Sequence, residues 1–250
     1  MVEPLFRFDG ELAENRKVLL DGDEGHHAVS VRRMRVGEPI SLTNGRGLRA
    51  RGTVTRVDRR ELTVEIASVE QEPEPSPRYI LIQAIAKGDR DELAVQAATE
   101  LGVARIVPWQ ADRSVSRWDG KEAKGRERWQ SIADEAAKQS LRAWFPEVTS
   151  SLTSKGLSGF VKDLTSQGAQ VLVLDPTAES GLGHILDLKV VPQPSTAIIV
   201  GPEGGITNEE LLEFEAAGAE RVHLGSGILR TSTAGVAALS ALIAGSGAWR

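Results

Sequence analysis

The chain has 250 residues, 40% hydrophobic and 26% charged, with a net charge of −5 and no cysteine. That length allows one large or two small domains, and the lack of thiols excludes disulfides, thiolate zinc sites and cysteine nucleophiles. No apolar run reaches membrane-spanning length, the opening MVEPLFRFDG lacks the basic-then-apolar order of a secretory leader, and only His26 and His27 of the four histidines are neighbours, so a cytoplasmic protein without a metal is expected.

The charge is unevenly placed. Between His26 and Arg60 lie nine arginines (32, 33, 35, 46, 49, 51, 56, 59 and 60) against Glu38 and Asp58, a local net of +7. Clustered in a compact β segment, such arginines suit phosphates; a solvated arginine-rich surface is the alternative. The stretch 38–69, EPISLTNGRGLRARGTVTRVDRRELTVEIASV, alternates apolar and polar residues and breaks at NGRG and DRR. Those are hairpin signals, so residues 1–70 are expected to form a small β-barrel. QEPEPSPR, 71–78, holds three prolines and no large apolar side chain and is expected to be a linker.

A second domain is expected over 79–250. Tyr79–Ala86 (YILIQAIA) reads as a buried strand, and 91–101 as a helix with Leu93, Ala97 and Leu101 on one face. A strand at 104–108 and a charged helical region around 120–142 follow. Further strands are expected at 170–174, 196–200 and 221–224, and helices near 207–217 and 231–245. Alternating strands and helices give a mostly parallel α/β sheet. Ligands of such sheets lie beyond the carboxyl ends of the strands. Here those ends are Leu174-Asp175-Pro176, Gly201–Gly205 and Leu224–Arg230.

GPEGGITNEE (201–210) is the most informative of these loops. Thr207 and Glu210 have capping-box spacing, which occupies helix amides that a phosphate would need. Glu203 adds negative charge, and the loop has no lysine. A P-loop needs a lysine and a hydroxyl at its end, and a Rossmann turn needs G-x-G-x-x-G; neither is present. A neutral or cationic ligand held by exposed backbone groups, such as S-adenosylmethionine, suits the loop. The alternative is that Gly204 and Gly205 only form a tight turn.

GPEGG after an apolar strand, followed by LGSGILRTSTAGVAAL (224–239), resembles the RsmE family of SPOUT-superfamily methyltransferases, which act on small-subunit ribosomal RNA. KGDRDELAVQAATELGV (87–103), EAAKQSLRAWFPEV (135–148) and HHAVSVRRMRVGE (26–38) extend the similarity over nearly the whole chain. The last motif departs from the family's pattern at Ser226, Gly227 and Ser232. The resemblance implies a SPOUT trefoil-knot α/β domain, with helix 231–245 packed closely through its small residues, behind an N-terminal PUA-like β-barrel. It implies a homodimer that transfers a methyl group from S-adenosylmethionine to N3 of a uridine. Its cofactor pocket falls on Leu174, Asp175, Val200, Gly201, Gly204, Gly205, Leu224, Gly225, Ile228, Leu229 and Thr233.

Loss of the N3 proton spreads negative charge over uracil O2 and O4, so a fixed cation would assist. Arg230 is the candidate; an ion pair with Glu203, or anchoring of the following helix, is its alternative role. Glu203 is either the proton acceptor or a carboxylate that orients the cofactor or the loop. Arg7, Arg33 and Arg35 are candidate RNA anchors, and Arg142 faces RNA or a partner copy. The basic residues from Arg113 to Arg128 alternate with acids and read as a solvated helix face. The substrate is free ribosomal RNA or the assembled subunit. A related enzyme acting on a ribose 2′-OH or another base, and an RNA-binding module without catalysis, are the competing readings.

Overall fold

The computed structural model describes residues 3–187 and 194–249. These divide into two compact units, one of residues 1–74 with 137–145, the other of 75–136 with 146–250. Residues 137–145, which the sequence places in the second domain, therefore group with the first.

The first unit is built on strands β1 (Leu5–Arg7), β2 (Lys17–Leu20), β3 (Pro39–Thr43), β4 (Leu48–Val57) and β5 (Leu62–Gln71) in the order β1-β3-β4-β5-β2. Short helix α1 (Gly22–His26) runs into a wide helical turn over 27–31. Strand β1 pairs parallel to β3, and the other pairs are antiparallel. NGRG and DRR form the two hairpin turns, as expected. The β4–β5 register shifts at Arg51/Gly52 and Val54/Arg56, and bulges of this kind bend and coil a sheet. Glycine is required at Gly52, because a Cβ there would stand 2.4 Å from the Glu65 carbonyl oxygen. The apolar faces of the strands close over Phe6, Leu20, Ile40, Leu42, Val64 and Ile66. The 137–145 segment is pinned to this sheet: the Arg49 guanidinium donates to the Leu141 carbonyl at 2.8 Å, the Gly47 N–H to Ala143 at 2.9 Å, and buried Lys138 pairs with Glu24.

The expected linker is shorter than 71–78. Strand β5 includes Gln71, and the Glu72 carboxylate binds Arg49. Strand β6 (Arg78–Ala84) opens the second unit. It is followed by α2 (Arg90–Leu101), β7 (Arg105–Gln110), α3 (Glu122–Gln139), whose last turn belongs to the first unit, β8 (Glu147–Val148), β9 (Leu152–Thr153) and α4 (Ser154–Ser166). Then come β10 (Gln170–Leu174), α5 (Leu182–Asp187), β11 (Ser195–Val200), α6 (Asn208–Ala216), β12 (Glu220–Val222) and α7 (Thr231–Ser246).

All described pairings of this sheet are parallel, in the order β12-β10-β11-β6-β7-β8 with β9 also on β7. Residues of β6 alternate between its two faces. Tyr79 and Leu81 join the core beneath α7, while Ile80 and Ile82 join Trp109, Val161 and Phe214. Helix α2 corrects the expected apolar face. Leu93 is 57% exposed, and Asp91, Ala94, Val95, Ala98 and Thr99 are the residues buried. A four-residue spacing marks a stripe along a helix; the sheet and α7 decide which stripe is covered. Helix α7 packs closely because Gly235 would put a Cβ only 3.0 Å from Leu81 and 3.1 Å from Val200. Ala244, one of the small residues of this helix expected to pack closely, is exposed.

Candidate functional site

Beyond the carboxyl ends of β10, β11 and β12 lies a cavity of about 610 Å³, within the size range of small-molecule sites. Its walls include Leu174, Asp175, Val200, Gly201, Glu203, Gly205, Leu224, Ile228, Leu229 and Arg230, all singled out in the sequence. Gly204, Gly225 and Thr233 lie outside the wall. Gly204 packs against Arg113, 3.0 Å from where its own Cβ would stand. Gly225, at φ +99°, turns the loop and donates its N–H to His223 Nδ1 at 3.0 Å. Thr233 is exposed in the first turn of α7. Arg90, Arg113, Thr177, Pro202, Ile206 and Thr231 also line the cavity and were missed. Arg90 could have been found, since it follows the carboxyl end of a fourth strand, β6.

The loop after β11 is organised as the capping box requires. Thr207 N–H donates to Glu210 at 2.8 Å, and Glu210 N–H donates to the Thr207 hydroxyl at 3.2 Å. Glu210 is buried and also accepts from the Asp112 N–H (2.9 Å) and the Ser154 hydroxyl (2.6 Å). Gly205 has φ +72° with open space where a side chain would project.

Glu203 does not pair with Arg230. It accepts from the Arg90 guanidinium at 2.8 Å and the Lys87 N–H at 3.3 Å. Partial burial pushes its pKa up, but hydrogen bonds from its own backbone, Arg90 and Lys87 outweigh this and hold it below the ordinary value. A carboxylate so stabilised is a weakened base. Among the described residues, the exposed Arg230 guanidinium makes no hydrogen bond or ion pair.

The Asp175 carboxylate is engaged by its neighbours, accepting from Thr177 N–H at 3.0 Å and Arg221 Nε at 2.9 Å. Burial alone would raise its pKa, but the Thr177 and Arg221 bonds hold it below the ordinary value. A depressed folded value gives stability that is full above the ordinary carboxylate value, near 4, and is lost as pH falls through the lowered one. The melting-temperature advantage of the wild type over Asp175→Asn should therefore shrink from pH 7 to pH 3. A gap independent of pH would show that the charge is not its source.

The RNA candidates lie in the first unit. Arg7 on β1 pairs with Asp9 at 3.0 Å. Arg33 (φ +55°) and Arg35 are exposed, and neither side chain has an ion pair among the described residues. Arg142 is half-buried, and burial lowers its pKa. Of the nine clustered arginines, Arg49 and Arg56 are committed to Glu72 and Asp58. In the 113–128 stretch, Arg117 pairs with Asp119 and Arg128 with Glu92, but Arg113 reaches the cavity.

Residues 72–243 match the family model described as an RNA methyltransferase domain, and residues 20–67 match an RNA methyltransferase PUA domain. The chain is 40% identical over 243 residues to the ribosomal RNA small subunit methyltransferase E of Mycobacterium bovis, covering 97% of this chain and 92% of the relative. It belongs to the ribosomal RNA small subunit methyltransferase E family. The Bacillus subtilis member is 34% identical over 228 residues, 89% of this chain and 88% of that one. The crystal structure of the Neisseria gonorrhoeae methyltransferase E bound to S-adenosyl methionine superposes with a TM-score of 0.86 at 30% identity, covering 97% of this chain and 98% of that one. The methyltransferase E fold, an α/β SPOUT domain with a PUA-like N-terminal sheet, is the fold of this chain.

Proposed function

We propose that this methyltransferase E family member transfers a methyl group from S-adenosylmethionine to N3 of a uridine in small-subunit ribosomal RNA. The observation that carries the reading is the cavity's chemistry. Its wall combines apolar Leu174, Val200, Leu224, Leu229 and Ala234 with backbone at Gly201, Gly205 and Gly227; it sets the carboxylates of Asp175 and Glu203 beside Arg90, Arg113 and Arg230, with Arg90 paired to Glu203, and holds no lysine. The α6 amides near it are already capped. Such a site fits a sulfonium-bearing adenosine better than a polyphosphate. Leu174, Asp175, Val200, Gly201, Gly205, Leu224, Ile228 and Leu229 would hold it.

When bound, that group supplies an electrophilic methyl. The chain must align the base for in-line attack, about 3 Å from the methyl carbon, after the base leaves its stack. Arg230 stabilises the charge that develops on the uracil oxygens. Glu203 orients the loop through Arg90, and the N3 proton is lost to water rather than to this carboxylate. The first unit anchors RNA through Arg7, Arg33, Arg35 and Arg142, and works in the cytoplasm, where ribosomal RNA is. A homodimer, which the family resemblance implies, belongs to the same reading.

The test is calorimetric titration with S-adenosylmethionine, together with mapping of the methyl group on ribosomal RNA from a deletion strain with and without the gene. No binding, or a methylated position unaffected by the gene, overturns the reading. Truncation at residue 70 is a poor test of RNA anchoring, because residues 137–145 would lose Glu24, Gly47 and Arg49. Point changes are cleaner. Arg33→Gln with Arg35→Gln should lower the log–log salt slope of RNA binding by about two units, roughly one for each phosphate no longer neutralised. An unchanged slope would place the RNA elsewhere.

A further inference from the structure

Gln83 is a polar residue in a place that favours apolar ones. It lies near the carboxyl end of central strand β6, in register with Val200 on one side and Pro108 on the other, and is fully buried. Its Nε2 donates to the Ala84 carbonyl at 3.1 Å and to the Thr231 hydroxyl at 2.9 Å. Thr231 in turn donates its single hydroxyl proton to the Gly201 carbonyl at 2.8 Å. That direction leaves Thr231 Oγ1 an acceptor towards Gln83, which sets the orientation of the amide. Gln83 Oε1 then has no hydrogen-bond partner among the described residues.

A buried, unpaired carbonyl oxygen carries a desolvation penalty. Methionine would fill a similar volume without it. Core stability therefore does not explain a glutamine here, whereas its position does. The relay joins β6 to two walls of the cavity, Gly201 at the end of β11 and Thr231 at the start of α7. Arg230 precedes Thr231, and its carbonyl accepts from Thr233 and Ala234 N–H at 2.8 and 2.9 Å, so its backbone belongs to the same turn. Its guanidinium has no partner of its own among the described residues, so this turn alone sets where that side chain starts.

We propose that Gln83 is a positioning residue for methyl transfer: by fixing the Thr231 hydroxyl it holds the turn carrying Arg230 against the Gly201 carbonyl. The inference rests on the reading of the cavity and of Arg230 given above. Gln83 touches neither ligand directly; it acts through Thr231.

The test compares Gln83→Met, Thr231→Val and Thr231→Ser, each alone, and Gln83→Met also combined with Arg230→Ala. Misplacement of a charge-stabilising group should slow single-turnover methylation about tenfold in Gln83→Met and in Thr231→Val. Thr231→Ser, which keeps the hydroxyl, should retain most of the rate. Cofactor affinity, read by calorimetry on the RNA-free protein, should move less than about threefold, as for a group acting in the transition state. The melting temperature of Gln83→Met should not fall. In the Arg230→Ala background, Gln83→Met should slow the reaction no further.

A folded Gln83→Met or Thr231→Val protein with the wild-type rate overturns the proposal. So does the same tenfold loss in the Arg230→Ala background, because Gln83 would then act by another route. Rate loss that only tracks a lowered melting temperature in both variants also overturns it. Failure of the Arg230 reading is distinguishable, since Arg230→Ala alone would then keep the wild-type rate.

Discussion

Arg230→Ala is expected to lower the single-turnover rate of methyl transfer by about 10²–10³, the scale for losing one preorganised charge-stabilising donor, while the protein stays folded and binds its cofactor. The residue is exposed at the cavity and makes no ion pair among the described residues. The pair with Glu203 that the sequence allowed is not formed, because Arg90 holds that carboxylate. Removing the guanidinium therefore breaks no bond of the fold, and the proposed effect is one on the transition state. Arg230→Lys should recover only part of the rate, since an ammonium lacks the planar fork that spans two acceptors. A stable Arg230→Ala protein with the wild-type rate would remove Arg230 from catalysis. Parallel loss of melting temperature, cofactor affinity and rate would make it a structural anchor of α7.

Gly205→Val is expected to abolish measurable cofactor binding. The glycine lines the cavity, and nothing stands within 4 Å of the position a Cβ would take. A side chain there would project into open space at the wall of the proposed cofactor site. The backbone at φ +72° adds strain for any β-branched residue, so a fall in melting temperature is expected as well. Gly205→Asn separates the two effects. Asparagine tolerates the left-handed region, so the variant should keep more of the wild-type melting temperature. Its side chain would still crowd the ligand and weaken affinity by at least about tenfold, roughly 1.4 kcal/mol. If folded Gly205→Asn bound S-adenosylmethionine as tightly as the wild type, the cavity would not be the cofactor site.

Much of this protein is set by local sequence, for reasons that are themselves local. The hairpins at NGRG and DRR follow from turn chemistry beside alternating residues, and β10 and β11 are short runs rich in Val, Leu and Ile bounded by loops. The Thr207–Glu210 box needs only three residues of spacing. These features place the loops after β10, β11 and β12 at one edge of a parallel sheet, and most of the cavity wall with them.

Tertiary structure decided what depends on distant chain. Strands as short as β8 and β9 have no periodicity to read, and they exist because β7 pairs with them. Which stripe of α2 is buried depended on α7 and the sheet, so Leu93 came out exposed. Residues 137–145 join the first unit through bonds to Glu24, Gly47 and Arg49, about a hundred positions away. Glu203 found Arg90 in place of Arg230 across 113 residues, and that one ion pair turned a candidate base into a bound anion. The Gln83–Thr231 bond spans 148 residues. A sequence states the hydrogen-bonding capacity of each side chain and the periodicity of each segment. Which donor meets which acceptor is settled only when the sheet order brings the strand ends together.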